Sequence, residues 1–524
     1  MTIGGNVVGN VKQKALRVRV ANPNVILNTI KKSKLLDNGE VLVHWGIKES
    51  QALNRLGIKN VPSPVLQSYE WSGSFTPFEH QRTTTEFLTL HKRAGCWNEQ
   101  GTGKTSSCIW AADSLMERGI IKKVLVICPL SIMQSAWLDD LFSVAMHRSA
   151  NICYGTREKR IKIIKEDTEF LIINYDGIEI VNEELAKANF DLIIVDEANA
   201  YKNVSTKRFK ALQKLITDDT WVWLLTGTPA SQSPYDAYGL AKLINPDGVP
   251  RYAGRWRDTV MLKVSRFKWE PRPEAKLLVH NALQPAIRFT KEQCLDLPSL
   301  TYVTRDVELT AQQKKYYRQI KETLFANAAG EEITVVNAAS AMNKLLQLSG
   351  GAVYSDTGEI VSFDVKSRFK VLKEIIDESS QKVIVFVPYR HAIKILQEEL
   401  TKDGYSCEVI NGEVKVGKRT SIFSDFQNKE NPRILLIQPQ AASHGVTLHR
   451  ADTIIYWSPV MSVETYLQCN ARAHRAGQKN PVTVFHIRGS EVEKRIYKML
   501  KSKIDVHSNI VKLYDIVSRE STTV

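Results

Sequence analysis

The chain has 524 residues, 43% of them apolar, which is enough for two to four globular domains at about 150 residues each. Lys and Arg number 71 against 56 Asp and Glu, a net charge of +15 that favours a polyanionic partner. No apolar run approaches the roughly 20 residues that span a bilayer, and no signal-peptide segment opens the chain. The seven cysteines are scattered without metal-ligand or disulfide spacing, so an intracellular, reducing setting is expected.

Residues 1–70 hold ALRVRV and EVLVHW, strand-like runs that predict a small β or α+β module. Lys12, Lys14, Arg17, Arg19, Lys31, Lys32 and Lys34 make it basic, as either a solvated face or a nucleic-acid-binding appendage. Residues 71–250 then read as α/β. Short apolar runs KKVLVICPL (122–130), EFLIINY (169–175), FDLIIVDE (190–197) and WVWLLTGTP (221–229) alternate with amphipathic stretches such as TSSCIWAADSLMERG, which stops at Gly119. That alternation predicts a mostly parallel sheet covered by helices on both faces. Residues 251–300, rich in Arg, Trp and Pro, read as a connector. A second α/β series fills 301–505, with QKVIVFVPY (381–389), YSCEVING (405–412), PRILLIQP (432–439), ADTIIYWS (451–458) and PVTVFHI (481–487) as strands. Residues 506–524 form a C-terminal tail.

Three motifs carry chemistry. NEQGTGKT (98–105) resembles a phosphate loop: Gly101 and Gly103 permit φ > 0 and bring N–H groups near phosphate oxygens, with Thr102 between them. Lys104 supplies a charge for the β- and γ-phosphates, and the Thr105 hydroxyl suits Mg²⁺. A Gly-rich turn with an incidental lysine is the bland alternative. In LIIVDEANA, a buried strand ends in Asp196 and Glu197, at the sheet edge where open α/β folds bind ligands. Asp196 suits Mg²⁺ through water and Glu197 the deprotonation of an attacking water; a helix cap is the bland alternative. In QCNARAHRAGQ (468–478), Arg472 and Arg475 are spaced i, i+3, which predicts one helical face and a role as arginine fingers, against a solvated basic helix.

Together these passages resemble the Swi/Snf-type (Snf2-like) ATPases of helicase superfamily two, in a compact form, over about residues 75–500. FEHQ places Gln81 where that family reads adenine. NEQGTGKT is similar to DEMGLGKT, with Asn98 for Asp; CPLSIMQSAW resembles motif Ia and INYDG the next DNA-side motif. DEAN stands for DEAH with Asn199 replacing His, and LLTGTPASQSP resembles motif III, its Pro pointing to the annealing-helicase subgroup. IRFTKEQCLDLPSLTYVTRDVELTAQQKKYY is similar to a passage that DNA-unwinding helicases lack, and SHGVTLHRADTIIYWSPV to motif V, with His444 where Gly is usual. The resemblance implies two RecA-like lobes, ATP and Mg²⁺ as cofactors, and duplex or branched DNA as a largely sequence-independent partner. It implies an ATP-driven translocase acting on forks, branched DNA or DNA-bound proteins, and the departures at Asn199 and His444 bear on its coupling to DNA. An RNA helicase of the DEAD/DEAH type and a non-catalytic DNA-binding adaptor are the alternatives. A nuclease motor built on Asp258 and Glu274-Ala275-Lys276 is rejected because no strand pattern frames those residues.

Overall fold

The computed structural model describes residues 5–10, 14–230, 233–265, 268–294, 297–330, 335–354, 360–442, 447–475, 477–502 and 504. The 506–524 tail, Lys12 and His444 lie outside them. The chain divides into two compact units, changing over between Cys294 and Leu295.

The first unit opens with a four-stranded antiparallel sheet of order β1-β2-β4-β3, from β1 (Gly5–Asn10), β2 (Ala15–Val20), β3 (Ser33–Leu35) and β4 (Val41–His44). One face packs Leu16, Val18, Val41 and Val43 on Ile26, Ile30, Leu53 and Ile58, which fixes the register because a one-residue slip would expose every apolar side chain.

The main sheet of this unit is parallel, with order β13-β5-β10-β9-β6-β8-β7. Its strands are β5 (Arg93–Cys96), β6 (Val124–Cys128), β7 (Ala150–Cys153), β8 (Phe170–Asn174), β9 (Leu192–Asp196), β10 (Trp221–Leu225) and β13 (Ala286–Ile287). The four expected runs become β6, β8, β9 and β10, and every residue of them is buried. Helices cover both faces, so continuous apolar strands rather than alternating ones are what the architecture requires. Of the stretch 251–300 expected as a connector, residues up to Cys294 lie in the first unit and Leu300 opens a strand of the second. A hairpin of β11 (Met261–Lys263) and β12 (Trp269–Pro271) precedes the helix Ala275–Ala282, and β13 then adds to the edge of the main sheet beside β5. The hairpin also lies between Asp258 and Glu274, so strands do frame those residues. Asp258 is nonetheless exposed beside Arg257 and Glu274 begins a helix, which leaves no nuclease-like strand pairing of the two.

The second unit carries a six-stranded parallel sheet of order β14-β21-β20-β17-β19-β18. It is built from β14 (Leu300–Asp306), β17 (Lys382–Phe386), β18 (Cys407–Ile410), β19 (Ile434–Ile437), β20 (Ala451–Tyr456) and β21 (Val482–Arg488). A short hairpin, β15 (Ala352–Tyr354) with β16 (Ile360–Ser362), stands apart from it. Five of the six strands are the ones the apolar runs predict. The unit's core holds a buried ion pair: Arg368 donates to Glu493 at 2.6 and 3.3 Å, to the carbonyls of Ser349 and Ile487 at 3.0 and 2.9 Å, and to that of Trp457. Glu493 in turn accepts from the Gly489 and Ser490 N–H groups, so the buried carboxylate is hydrogen-bonded on both oxygens. Fold class is thus α/β, two parallel sheets flanked by helices as in a pair of RecA-like lobes, with an antiparallel module ahead of them. Among the described residues no helix is long and apolar enough to cross a membrane.

Candidate nucleotide-binding site

In the first unit β5 runs into the loop 98–103 and the helix Lys104–Glu117 leaves it. Gly101 and Gly103 take φ of +84° and +77°, the left-handed conformation that an L side chain adopts only at a cost. At Gly103 a Cβ would also lie 2.0 Å from Nε2 of Gln81, so any side chain there would have to displace the glutamine amide. The helix N-terminus behind the loop presents unpaired N–H groups and the positive end of its dipole, as an anion site requires. Lys104 folds back on the loop, its Nζ donating to the carbonyls of Asn98 and Glu99 at 3.0 and 3.3 Å. Thr102 is buried, its hydroxyl donating to the Glu99 carbonyl at 2.8 Å, and Thr105 is half-buried in the first helical turn.

Gln81 lies in the helix Glu79–Leu90, buried against this loop, with its Oε1 accepting the Phe78 N–H at 2.9 Å. The fold therefore uses its carbonyl to cap that helix. Next to it His80 bonds the Thr102 carbonyl at 2.8 Å, a loop contact that no sequence pattern signalled.

Asp196 ends β9 and Glu197 follows in a left-handed turn, φ +46°. A non-glycine residue there costs about 1–2 kcal/mol, and such strain is typical of functional turns. Tyr175, from INYDG, steadies the turn by donating its hydroxyl to the carbonyls of Asp196 and Glu197 at 2.7 and 3.2 Å. The Asp196 carboxylate accepts the Trp137 indole N–H at 2.9 Å on one oxygen and the Glu197 N–H at 2.9 Å on the other. Burial pushes its carboxyl above the ordinary aspartate range, opposed chiefly by the positive charge of Lys104 and then by the indole bond. The structure thus brings Gln81, Gly101, Thr102, Gly103, Lys104, Thr105, Asp196 and Glu197 to one edge of one sheet.

Two of the three substituted motif positions, Asn98 and Asn199, lie among the described residues, and both are hydrogen-bonded. Asn98 is buried, its Nδ2 donating to the Thr84 hydroxyl and its Oδ1 accepting the Phe289 N–H, each at 2.9 Å. Thr84 spends its own proton on the His80 carbonyl, so position 98 needs a donor and an acceptor together, which an amide supplies and a carboxylate does not. Asn199 donates to the Thr228 hydroxyl at 2.8 Å, joining the turn after β9 to the TGT segment after β10. Behind the loop Arg288 donates to the Trp97 and Gly227 carbonyls at 2.8 and 3.3 Å and pairs with Glu99 at 3.4 Å. The sequence reading missed Trp137 as a partner of Asp196 and Arg288 as a support of the loop. Their signal was only their place within CPLSIMQSAW and IRFTK.

In the second unit, the helix Val463–Ala473 begins at Ser462, whose hydroxyl accepts the Thr465 N–H. Arg472 lies buried in its last turn. The helix ends at Ala473, and Arg475 sits in the following turn, half-buried, so the two arginines do not share a helical face as their spacing predicted. The cause is local. Gly477 takes φ +94° and the buried Gln478 amide donates to the carbonyls of Ala451 and Ala473, pulling the chain off the helix axis.

A phosphate-type loop, a helix N-terminus and an acidic strand end on one parallel sheet define a nucleoside-triphosphate-binding α/β protein. The chain matches the SNF2-related domain over residues 80–350 and the helicase conserved C-terminal domain over 367–477. It belongs to the SNF2-related family, and is a helicase-like ATPase of that family. It is 26% identical over 438 residues to protein p41 of Acyrthosiphon pisum secondary endosymbiont phage 1, covering 79% of this chain and 93% of that one. It is 26% identical over 483 residues to mouse chromodomain-helicase-DNA-binding protein 1-like, covering 86% of this chain but 52% of that protein's length. Among solved structures it is similar to the Sulfolobus solfataricus SWI2/SNF2 ATPase core in complex with dsDNA, at 21% identity and TM-score 0.41, covering 84% of this chain and 94% of that one.

Proposed function

We propose that this chain is a DNA-dependent ATPase that translocates on duplex or branched DNA, remodelling forks, annealing strands or displacing bound proteins. The observation that carries the reading is the phosphate loop, Asp196 and Glu197 on one sheet edge, with Lys104 close enough to lower the charge cost of burying Asp196. In this reading Gln81 contacts adenine, the loop 101–105 and Lys104 cradle the phosphates, and Glu197 takes the proton of the attacking water. The donor set suits Mg²⁺: a buried carboxylate short of positive charge and a hydroxyl are the oxygen ligands that Asp196 and Thr105 would offer. Bound there, Mg²⁺ would neutralise phosphate charge. Arg472 and Arg475 act as fingers. What supports DNA as partner is the net charge of +15 together with relatives whose names include DNA-binding. A motor of this kind works inside the cell, in the cytoplasm or nucleoid, or in the nucleus of a eukaryote. As functional regions we assign 1–70 to the basic module, 71–250 to the ATP-binding lobe and 301–505 to the finger-bearing lobe.

The test is Glu197→Gln. The amide keeps the shape but takes no proton, so this variant should bind ATP and DNA normally while turnover and triplex displacement on duplex DNA collapse. Loss of ATP binding in that variant would make Glu197 structural. Stimulation by RNA but not DNA would favour the RNA-helicase alternative, and absence of turnover in the wild type the adaptor.

A further inference from the structure

The N-terminal module carries a disproportionate share of the charge. Residues 1–61 hold ten Lys and Arg against three Asp and Glu, a net +7 of the chain's +15. The apolar face of its sheet fixes which positions face water. Arg17 lies opposite Leu42, and Leu42 opposite Lys34, so Arg17 and Lys34 share the outer face across three strands. Arg19, two residues on and also exposed, lies about 7 Å from Arg17 along β2. On β1 the residues facing Arg17 and Arg19 are Val8 and Asn6. Among the described residues none of these three cations forms an ion pair.

Charged residues commonly protect sheet edges, and that accounts for Lys34 on the edge strand β3. It does not account for Arg17 and Arg19, because β2 lies inside the sheet between β1 and β4. Interior strands favour Val, Ile, Thr or aromatic residues, and like charges on one face are destabilising unless a counter-charge is supplied. The same face continues into a groove of about 520 Å³ where the module meets the first lobe, lined by Lys14, Lys32, Lys48 and Arg118 with Glu49 as the acidic residue among them. Glu49 lies 3.9 Å from Lys32, so the groove retains an excess of positive charge.

We propose that this outer sheet face and groove form a second polyanion-binding surface, distinct from the nucleotide-binding loop, that holds the phosphate backbone of duplex DNA. The choice of DNA over other polyanions rests on the motor reading above; the surface itself does not. Contacts of this type carry no sequence information, and each should add about 0.9 to the slope of log affinity against log salt. In operation the module would keep the chain on its track between turnovers.

The experiment uses the full chain with Arg17→Glu, Arg19→Glu and Lys34→Glu combined, and a neutral counterpart with Gln at the same positions, bound to a blunt duplex across a salt series. The charge-reversed variant should bind about tenfold or more weakly at about 0.1 M salt, with the salt slope reduced by roughly 2–3. The Gln variant should fall between it and the wild type, and both should keep the wild-type melting temperature and DNA-free ATPase rate. Wild-type duplex affinity and slope in both variants would overturn the proposal. So would unchanged duplex binding combined with lost binding to an RNA hairpin or to anionic phosphatidylserine vesicles, which would assign the surface to a different partner. A wild-type chain that binds duplex, with variants that do not, but whose ATPase no DNA stimulates, would retain this surface and defeat the motor reading alone.

Discussion

Trp137→Phe removes one hydrogen bond that favours the ionised form of Asp196. The indole N–H lies 2.9 Å from one carboxylate oxygen of a group whose pKa burial already raises. A hydrogen bond to a buried charge is worth about 1.5–3 kcal/mol, and 1.36 kcal/mol is one pKa unit. Removing it while keeping a ring in the pocket should therefore raise the Asp196 pKa further. An aspartate with a raised pKa is ionised only at higher pH, so the acidic limb of the ATPase pH profile should move to higher pH. Turnover well above the limb should be retained more fully than turnover at pH 6. The assay is kcat/KM for ATP against pH at saturating Mg²⁺, with thermal melting as a control, because Trp137 is buried and the smaller ring leaves a cavity. An unmoved limb in a folded Trp137→Phe protein would refute the claim that this bond lowers the Asp196 pKa.

Arg475→Ala should lower DNA-saturated turnover on the order of 10³-fold while ATP and DNA affinities change little; normal turnover would end its assignment as a finger. Arg368→Met should destabilise the second unit by about 3–5 kcal/mol in denaturant unfolding, because it strands Glu493 without its partner, and Arg368→Met with Glu493→Gln should recover part of the loss. His486 is packed among Tyr456, Tyr466 and Tyr497, and burial first, then Arg488, lowers its pKa to about 4. Below pH 6.5 the unfolded chain binds a proton that the folded chain refuses. The second unit should therefore lose on the order of 3 kcal/mol as pH falls from 6.5 to about 4, and His486→Phe should remove that slope.

What the sequence made legible follows from burial. β6, β8, β9 and β10 are covered on both faces, so they must be continuous apolar runs. β5 reads Arg-Ala-Gly-Cys and escaped notice for a packing reason: a Cβ at Gly95 would lie 2.0 Å from the Trp97 ring, which breaks the apolar run at that position. β13 has two residues and β14 alternates exposed positions at a sheet edge, so neither has an apolar run to read. The phosphate loop and the Asp196–Glu197 pair were legible because their chemistry demands glycine, lysine and acid at fixed spacing. Arg475 was misplaced because the turn at Gly477 and the Gln478 ties are set by tertiary contacts that i, i+3 spacing does not record. Trp137 and Arg288 reach the site from segments 59 and 184 positions away from Asp196 and Lys104 respectively, a proximity only the fold supplies.

The most direct measurement is steady-state ATP hydrolysis by the wild type and by Lys104→Ala, with and without duplex DNA. The expected result is hydrolysis that duplex DNA stimulates in the wild type, and background rates in a folded Lys104→Ala protein at every DNA concentration. Near wild-type hydrolysis by Lys104→Ala, or a wild-type rate that duplex DNA leaves unchanged, would contradict the motor reading.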